Sequence, residues 1–272
     1  MHKHHHTIVL SDIHLGSQYS KCQEVSDFLK SNSCDRLILN GDIIDGWQLH
    51  KGSGRWKKRH TRFFKVIMKM MERHGTEVIY VRGNHDDFLD LLVPFRMFNI
   101  RIVSEYILES AGKRYLVTHG DIFDRITRNI RWLAKLGDIG YHLLLWFNKR
   151  YNNWRVRRGQ PYYSLSQEIK QKVKGAVSYI SDFEKELSLL ARSRNCQGVI
   201  CGHIHKAANV WYNGIHYLNS GDWVESLTAL TEDHNGCWQV VHYELEIRSS
   251  APVLEIGESP EVPPVYLWTQ AI

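Results

Sequence analysis

Five short apolar runs punctuate the chain, and each ends in a polar cluster: Ile8-Val9-Leu10, Leu37-Ile38-Leu39, Val78-Ile79-Tyr80-Val81, Tyr115-Leu116-Val117 and Val199-Ile200-Cys201. Runs this short, bounded by Gly, Asn and Asp, predict strands. Segments of helical period lie between the early ones. Residues 21–31 form one. Residues 57–74 form another, with Phe63, Phe64, Ile67, Met70 and Met71 on one face and Gly75 placed as its C-cap. Residues 101–117 read as two short strands around an Ala111-Gly112-Lys113 turn. Two apolar-rich helical stretches follow over 124–148, broken near Gly137-Asp138 and Gly140, and then a long amphipathic helix over 164–192. After that the pattern turns antiparallel: strands over 207–212, 215–219, 224–231 and 237–245, with Asn213-Gly214 as a strong hairpin signal.

Parallel-type strands first and antiparallel strands last predict an α/β fold of two packed mixed β-sheets flanked by helices. The chain reads as a single domain over residues 1–272. Residues 124–161 are expected to form a helical, lid-like insertion, and residues 249–272, with Pro252, Pro260, Pro263 and Pro264, an irregular tail. No repeat of solenoid period and no low-complexity linker is present. At 272 residues the chain is long enough to bury roughly three quarters of its unfolded surface. Apolar content of 43% and a mean hydropathy of −0.37 predict a soluble globular protein, with no run near the roughly 20 residues of a membrane-spanning helix. The N-terminus runs directly into the first strand, which leaves no room for a signal peptide. Five cysteines without C-x-x-C spacing predict reduced thiols and a cytoplasmic protein. The opening Met-His-Lys-His-His-His is either a leader or native, and it is set aside from the metal argument.

The polar clusters carry the chemistry. They are Asp12-Ile13-His14, Gly41-Asp42-Ile43-Ile44-Asp45, Gly83-Asn84-His85-Asp86, His119-Gly120-Asp121 and Gly202-His203-Ile204-His205. Strands that end together in an α/β sheet deliver such loops to one edge, where ligands bind. Asp, Asn and His converging there offer hard oxygen and borderline nitrogen donors, a set that suits Mn, Fe, Zn or Ni. A lone His at a strand end is ordinary. Five clusters in order are specific.

D-x-H, G-D-x-x-D, G-N-H-D, H-G-D and G-H-x-H, in this order from Ile8 to about Leu245, resemble the calcineurin-like metallophosphoesterase superfamily. The resemblance implies an αββα sandwich and two divalent metal ions, most simply Mn2+, with Fe, Zn or Ni as substitutes. It places one ion on Asp12, His14, Asp42 and His205, and the second on Asp42, Asn84, His119 and His203. Asp42 would then bridge, offsetting repulsion between ions about 3.5–4 Å apart. It makes His85 a catalytic residue that serves the leaving oxygen rather than a ligand, with Asp45 orienting its imidazole. Asp121 and Asp222 become candidates to accept a hydrogen bond from a ligand imidazole. The other histidines, His60 and His234 among them, have no motif and read as surface or structural.

Within the superfamily, Trp47 and Asp87-Phe88-Leu89 are similar to the UDP-2,3-diacylglucosamine pyrophosphatases of lipid A biosynthesis. The chain departs from their best-known members at His85, where those carry Arg, and over residues 47–59. Much of the formal charge of +6 sits in the insertion, where Arg125, Arg128, Arg131, Lys135, Lys149, Arg150, Arg155, Arg157 and Arg158 are set against only two acids, Asp124 and Asp138. Ile139, Tyr141, Leu143, Leu144, Leu145, Trp146 and Phe147 run through it. Aromatic rings flanked by cations suit a membrane interface, and the apolar run could also line an acyl slot; plain packing on the core is the lesser alternative. Trp47, Asp87, Arg125, Arg155, Arg157, Arg158 and Trp146 are thus the candidate substrate contacts. The expected reaction is hydrolysis of a nucleotide-sugar lipid at its pyrophosphate, on the cytoplasmic face of a membrane with peripheral contact. A soluble nucleotide or a phospholipid is the alternative substrate. Nucleic acid ranks lower, because the basic residues interleave with long aliphatics. A non-catalytic scaffold is disfavoured because every ligand position is filled.

Overall fold

Each apolar run that precedes a polar cluster is a strand in the computed structural model, which describes residues 2–123, 150–151, 154–155, 158 and 174–243. In chain order the strands are β1 (Lys3–Leu10), β2 (Asn32–Asn40), β3 (Glu77–Val81), β4 (Phe95–Met97), β5 (Ile100–Val103), β6 (Tyr106–Ser110), β7 (Lys113–Val117), β8 (Gly198–Cys201), β9 (Ala208–Tyr212), β10 (Ile215–Asn219), β11 (Thr228–Glu232) and β12 (Trp238–His242). The helices are α1 (Cys22–Ser31), α2 (Gly46–His50), α3 (Lys58–His74) and α4 (Lys174–Ser193). One sheet has the order β12-β11-β1-β2-β3-β5-β4, the other β6-β7-β8-β10-β9.

Alternation along the strands sorts side chains into three layers. Val9, Ile38, Ile79 and Val81 pack between the sheets against Tyr115, Val117, Ile200 and Leu218. Their neighbours Ile8, Leu10, Leu37 and Leu39 point the other way, onto Phe28 of α1 and Phe63, Ile67 and Met70 of α3. On the far side, Leu116, Val199 and Tyr217 meet Phe183, Leu187 and Ala191 of α4. The result is the αββα sandwich expected from the strand pattern. Helix α3 ends as its sequence predicts, with Gly75 in the left-handed conformation (φ 66°) and its N–H on Met71 O.

Four readings change. β1 begins at Lys3, so the N-terminal histidines belong to a strand paired with β2, in the register Lys3↔Asn32 to Leu10↔Leu39. Residues 101–117 hold parts of three strands rather than two. Ile100–Val103 runs parallel to β3 in the first sheet, and the chain crosses at Ser104-Glu105 to begin the β6–β7 hairpin of the second. The last third is not purely antiparallel, since β10 runs parallel to β8 and antiparallel to β9. β11 starts at Thr228 because Asp222 Oδ1 gathers the N–H groups of Val224, Glu225 and Ser226 into a turn. Most of the insertion over 124–161, including Arg125, Trp146 and Arg157, and the tail over 249–272 lie outside the described residues. Among the described residues no helix is long and apolar enough to cross a membrane.

Candidate metal centre

Parallel pairing of β1, β2 and β3 carries three motif loops to one edge of the first sheet, and parallel pairing of β7 and β8 carries two more beside it. Backbone hydrogen bonds lace these loops together: Asp12 N to Gly41 O (3.1 Å), His14 N to Asp42 O (2.9 Å) and Gly202 N to His119 O (3.1 Å). Five polar residues of the edge have left-handed backbone: Asp12 (φ 51°), His14 (51°), Asp42 (53°), His203 (68°) and His205 (53°). L-residues disfavour this region, Asp and His less than most, and such strain concentrates at functional sites. The turn it makes aims each side chain inward. Space is tight enough that Gly41 and Gly83 admit no side chain: a Cβ on the first would meet the His119 ring, and on the second Asp42 Oδ1.

Three groups of potential ligands result, two of them without His85. Asp12, His14 and His205 offer donor atoms within 4.8 Å of one another, and so do Asp42, His119 and His203. His205 Nε2 lies 3.2 Å from Asp12 Oδ1, and His119 Nε2 lies 3.2 Å from Asp42 Oδ2. The same Asp42 oxygen is 3.9 Å from His14 Nε2, which puts this carboxylate between the groups. Asn84 Oδ1 is buried with no hydrogen-bond partner. An orphaned buried acceptor is costly unless something positive meets it, and a cation does so. The residues present therefore fit a pair of divalent ions.

The electrostatics agree. Burial alone would raise the Asp12 carboxyl, but His205 brings it down to about 2. Burial likewise opposes ionisation of Asp42, and His119 nevertheless holds it well below the usual carboxylate range. Burial disfavours the His119 cation, and Asp42 and Asp12 still raise it to about 10. His119 Nδ1 faces Asn40 O at 2.9 Å, so with its N–H donated there Nε2 is the atom left toward Asp42. A metal ion at this position would compete with the proton that Asp42 favours on His119.

His85 sits at the rim. Its Nδ1 is 3.0 Å from Asp45 Oδ1, and its backbone N–H donates to Asp42 Oδ1 at 2.8 Å. Burial lowers its pKa and the Asp45 hydrogen bond more than compensates, so the group is raised. His85 also lies within 4.8 Å of His14 and Asp42 by its nearest ring nitrogen. Asp45 does double duty, since the same Oδ1 accepts Gln48 N and caps α2. The Trp47 ring lies 4.3 Å from the His85 ring, and Trp47 Nε1 donates to Asp87 Oδ2 at 3.1 Å. Beyond them a cavity of about 530 Å³ is lined by Gly46, Trp47, His50, Lys51, Asp87 and Phe88. Trp47 and Asp87 thus stand beside the cage. Arg155 packs on Tyr151 and Arg158 on Trp154, 4.1 Å above its ring.

Asp121 and Asp222 do other work than expected. Asp121 accepts Arg82 Nη1 at 2.7 Å, while the imidazole nearest in sequence, His119, is held by a backbone carbonyl. Asp222 organises the turn before β11. The residue sequence reasoning missed is Asp86. Fully buried, it accepts Ile43 N (3.1 Å), Ile44 N (2.8 Å) and Tyr80 Oη (2.9 Å), clamping the loop that carries Asp42 and Asp45 to the loop that carries Asn84 and His85. Its place as the last letter of G-N-H-D was the available signal.

A family model for calcineurin-like phosphoesterases matches residues 5–207, and the chain belongs to that family. It is a phosphoester hydrolase, and the family works with divalent metals. Among curated relatives, the UDP-2,3-diacylglucosamine hydrolase of Neisseria meningitidis serogroup A is 26% identical over 223 residues, 79% of this chain and 88% of that one. Its namesake in Aeromonas salmonicida is 22% identical over 231 residues, 82% of this chain and 88% of that one. A solved structure described as a novel archaeal phosphodiesterase aligns with a TM-score of 0.42 at 12% identity, covering 87% of this chain and 98% of the other.

Proposed function

We propose that this hydrolase holds two divalent ions, Mn2+ by preference, one on Asp12, His14, Asp42 and His205 and one on Asp42, Asn84, His119 and His203. We further propose that it cleaves the pyrophosphate of UDP-2,3-diacylglucosamine, releasing UMP and the diacylated sugar 1-phosphate. The observation that carries the reading is the His85–Asp45 pair, set between the proposed cage and the cavity at Trp47. The ions would supply Lewis acidity to the phosphate and to the attacking water. In the reaction a water oxygen joins one phosphorus and the P–O bond to the other phosphate breaks. His85, its Nδ1 tied to Asp45, delivers a proton to the departing oxygen. Trp47 and Asp87 offer a ring face and an acceptor to the part of the substrate lodged in the cavity.

The substrate's acyl chains call for an apolar surface. Leu91 (94% exposed) and Phe98 (88%), with Leu92, Phe95 and Met97, give one immediately after the His85 loop. Exposed apolar groups of this density are found where a protein meets a partner or a lipid surface, and we assign this edge to peripheral contact with the cytoplasmic face of a membrane. The deciding experiment compares turnover of UDP-2,3-diacylglucosamine, nucleoside diphosphates and phospholipids by the Mn2+-loaded protein, with flotation on anionic vesicles alongside. UMP release from the lipid substrate at a far higher kcat/KM is the expected result. Preference for a soluble nucleotide, with no vesicle binding, would overturn the substrate and membrane assignments and leave the hydrolase.

A further inference from the structure

The first half of β1 runs past the end of β11, so the N-terminal histidines meet solvent on a ledge formed by β1, β2 and the turn after β11. On a strand, alternate residues share a face. His4 and His6 therefore project together, and across the β1–β2 pairing both reach Asp35: His4 Nε2 lies 3.0 Å from Oδ1, and His6 Nδ1 lies 3.1 Å from Oδ2. The turn between β11 and β12 brings His234 to the same place, its Nδ1 3.9 Å from Asp35 Oδ2. The His234 ring lies 5.7 Å from that of His4 and 5.6 Å from that of His6. His4, Asp35 and His234 each present a ligand atom within 4.8 Å of the others.

From this convergence we infer a second, accessory metal site, formed by His4, Asp35 and His234, with His6 steadying the same carboxylate, and suited to an imidazole-seeking divalent ion such as Zn2+ or Ni2+. The donor set is two borderline nitrogens and one carboxylate, which such ions accept with water completing the tetrahedron. Ser33 Oγ lies 2.8 Å from His4 Nδ1. With the Nδ1–H donated to that hydroxyl, Nε2 carries the lone pair and faces the cluster, the outer support that metal-bound histidines usually have. The ligands come from three separate pieces of chain. A bound ion would therefore pin the start of β1 to β2 and to the β11–β12 turn. This ledge lies at the N-terminal ends of the parallel strands, the catalytic edge at their C-terminal ends. From His4 to Leu10, β1 alone spans about 20 Å at a rise of roughly 3.3 Å per residue. The site is thus separate from the cage proposed for hydrolysis.

The test uses the full chain with its catalytic cage first saturated with Mn2+, then dialysed against low Zn2+ and analysed for total metal. Asp35→Asn and His234→Ala lie far from the cage, and both should leave hydrolysis unchanged. The wild type should hold one more ion than either variant, and either substitution should weaken Zn2+ binding by roughly tenfold or more. Zn2+ should also raise the Tm of the wild type and not of the variants. If both variants keep the extra ion, the N-terminal histidines chelate it as a loose tail and the built site is refuted. If the wild type takes up no extra ion, it is refuted outright. Circular dichroism of each variant separates lost binding from lost fold.

Discussion

His85 and Asp45 form a hydrogen-bonded pair whose carboxylate also approaches the cage: Oδ1 is 3.0 Å from His85 Nδ1, and Oδ2 is 3.6 Å from His14 Nδ1. One buried acid therefore steadies the proposed proton donor and a proposed metal ligand together. Its own pKa lies far below the usual carboxylate range, for although burial opposes the charge, the imidazoles of His14 and His85 beside it more than restore it.

Replacing His85 by Ala should lower kcat on a substrate with a poor leaving group by about 10²–10⁴-fold, the usual range for general acid catalysis. The loss should shrink for a nitrophenolate leaving group, which needs no proton, and metal content should not change. Asp45→Asn should give a smaller loss with the same leaving-group dependence. Metal analysis alongside the two rate series is the check, since disappearance of an ion with His85 would make it a ligand.

Asp42→Ala should remove activity and both ions, because this carboxylate stands between the two ligand groups. His14→Ala and His205→Ala should empty one position preferentially, His119→Ala and His203→Ala the other. Stoichiometry by elemental analysis reads each case. Full occupancy of an active Asp42→Ala protein would refute the cage.

Gly83→Ala adds a single methyl group, but one that would press on Asp42 Oδ1 and its backbone N. Overpacking of this kind typically costs about 1–3 kcal/mol. The substitution should also displace the Asp42 carboxylate, so metal affinity should fall more than Tm does. Equilibrium dialysis and calorimetry on the same preparation separate the two effects.

Trp47→Ala should raise KM for the lipid-linked nucleotide by about tenfold, the equivalent of about 1.4 kcal/mol. That is below the value of a fully buried ring because Trp47 is 42% exposed. Hydrolysis of a small phosphodiester that does not reach the cavity should be unaffected. Equal losses on both substrates would mean that the ring serves only to pack His85.

His60 gives the fold a pH dependence of its own. It is wholly buried at the start of α3, where its Nδ1 accepts Lys57 N, and burial, with Arg59 and Lys57 nearby, lowers it to about 4. The unfolded chain binds this proton below about pH 6.5 and the native state does not until near pH 4. Stability should therefore decline across that window, by up to about 3 kcal/mol, and level off below it. Urea denaturation of wild type and His60→Gln from pH 7 to pH 4 should show a steeper decline in the wild type.

The convergence of the motif residues was legible from sequence because they follow strands whose apolar runs are unambiguous, and order supplied what distance did not. Ile8-Val9-Leu10 and Leu37-Ile38-Leu39 each place one residue between the sheets and two against helices, so both were recognisable as strands buried on both faces. What was missed depends on contacts that pattern does not carry. Ile100–Val103 looks like its neighbour Tyr106–Ser110, and only pairing with β3 assigns it to the other sheet. Lys3–His6 has no apolar signal at all and becomes strand because β2 offers it a ladder. Asp121 sits in a motif, yet Arg82 holds its carboxylate.

The bond from His203 N to Asp12 Oδ2 joins positions 191 residues apart along the chain. Closing so long a loop is slow and comes after local structure has formed. A metal ion thus cannot nucleate this fold in the way that it does in a zinc finger, because its ligands meet only when both sheets have assembled. Refolding in chelator, with metal returned at the end, is the order of events that this architecture favours.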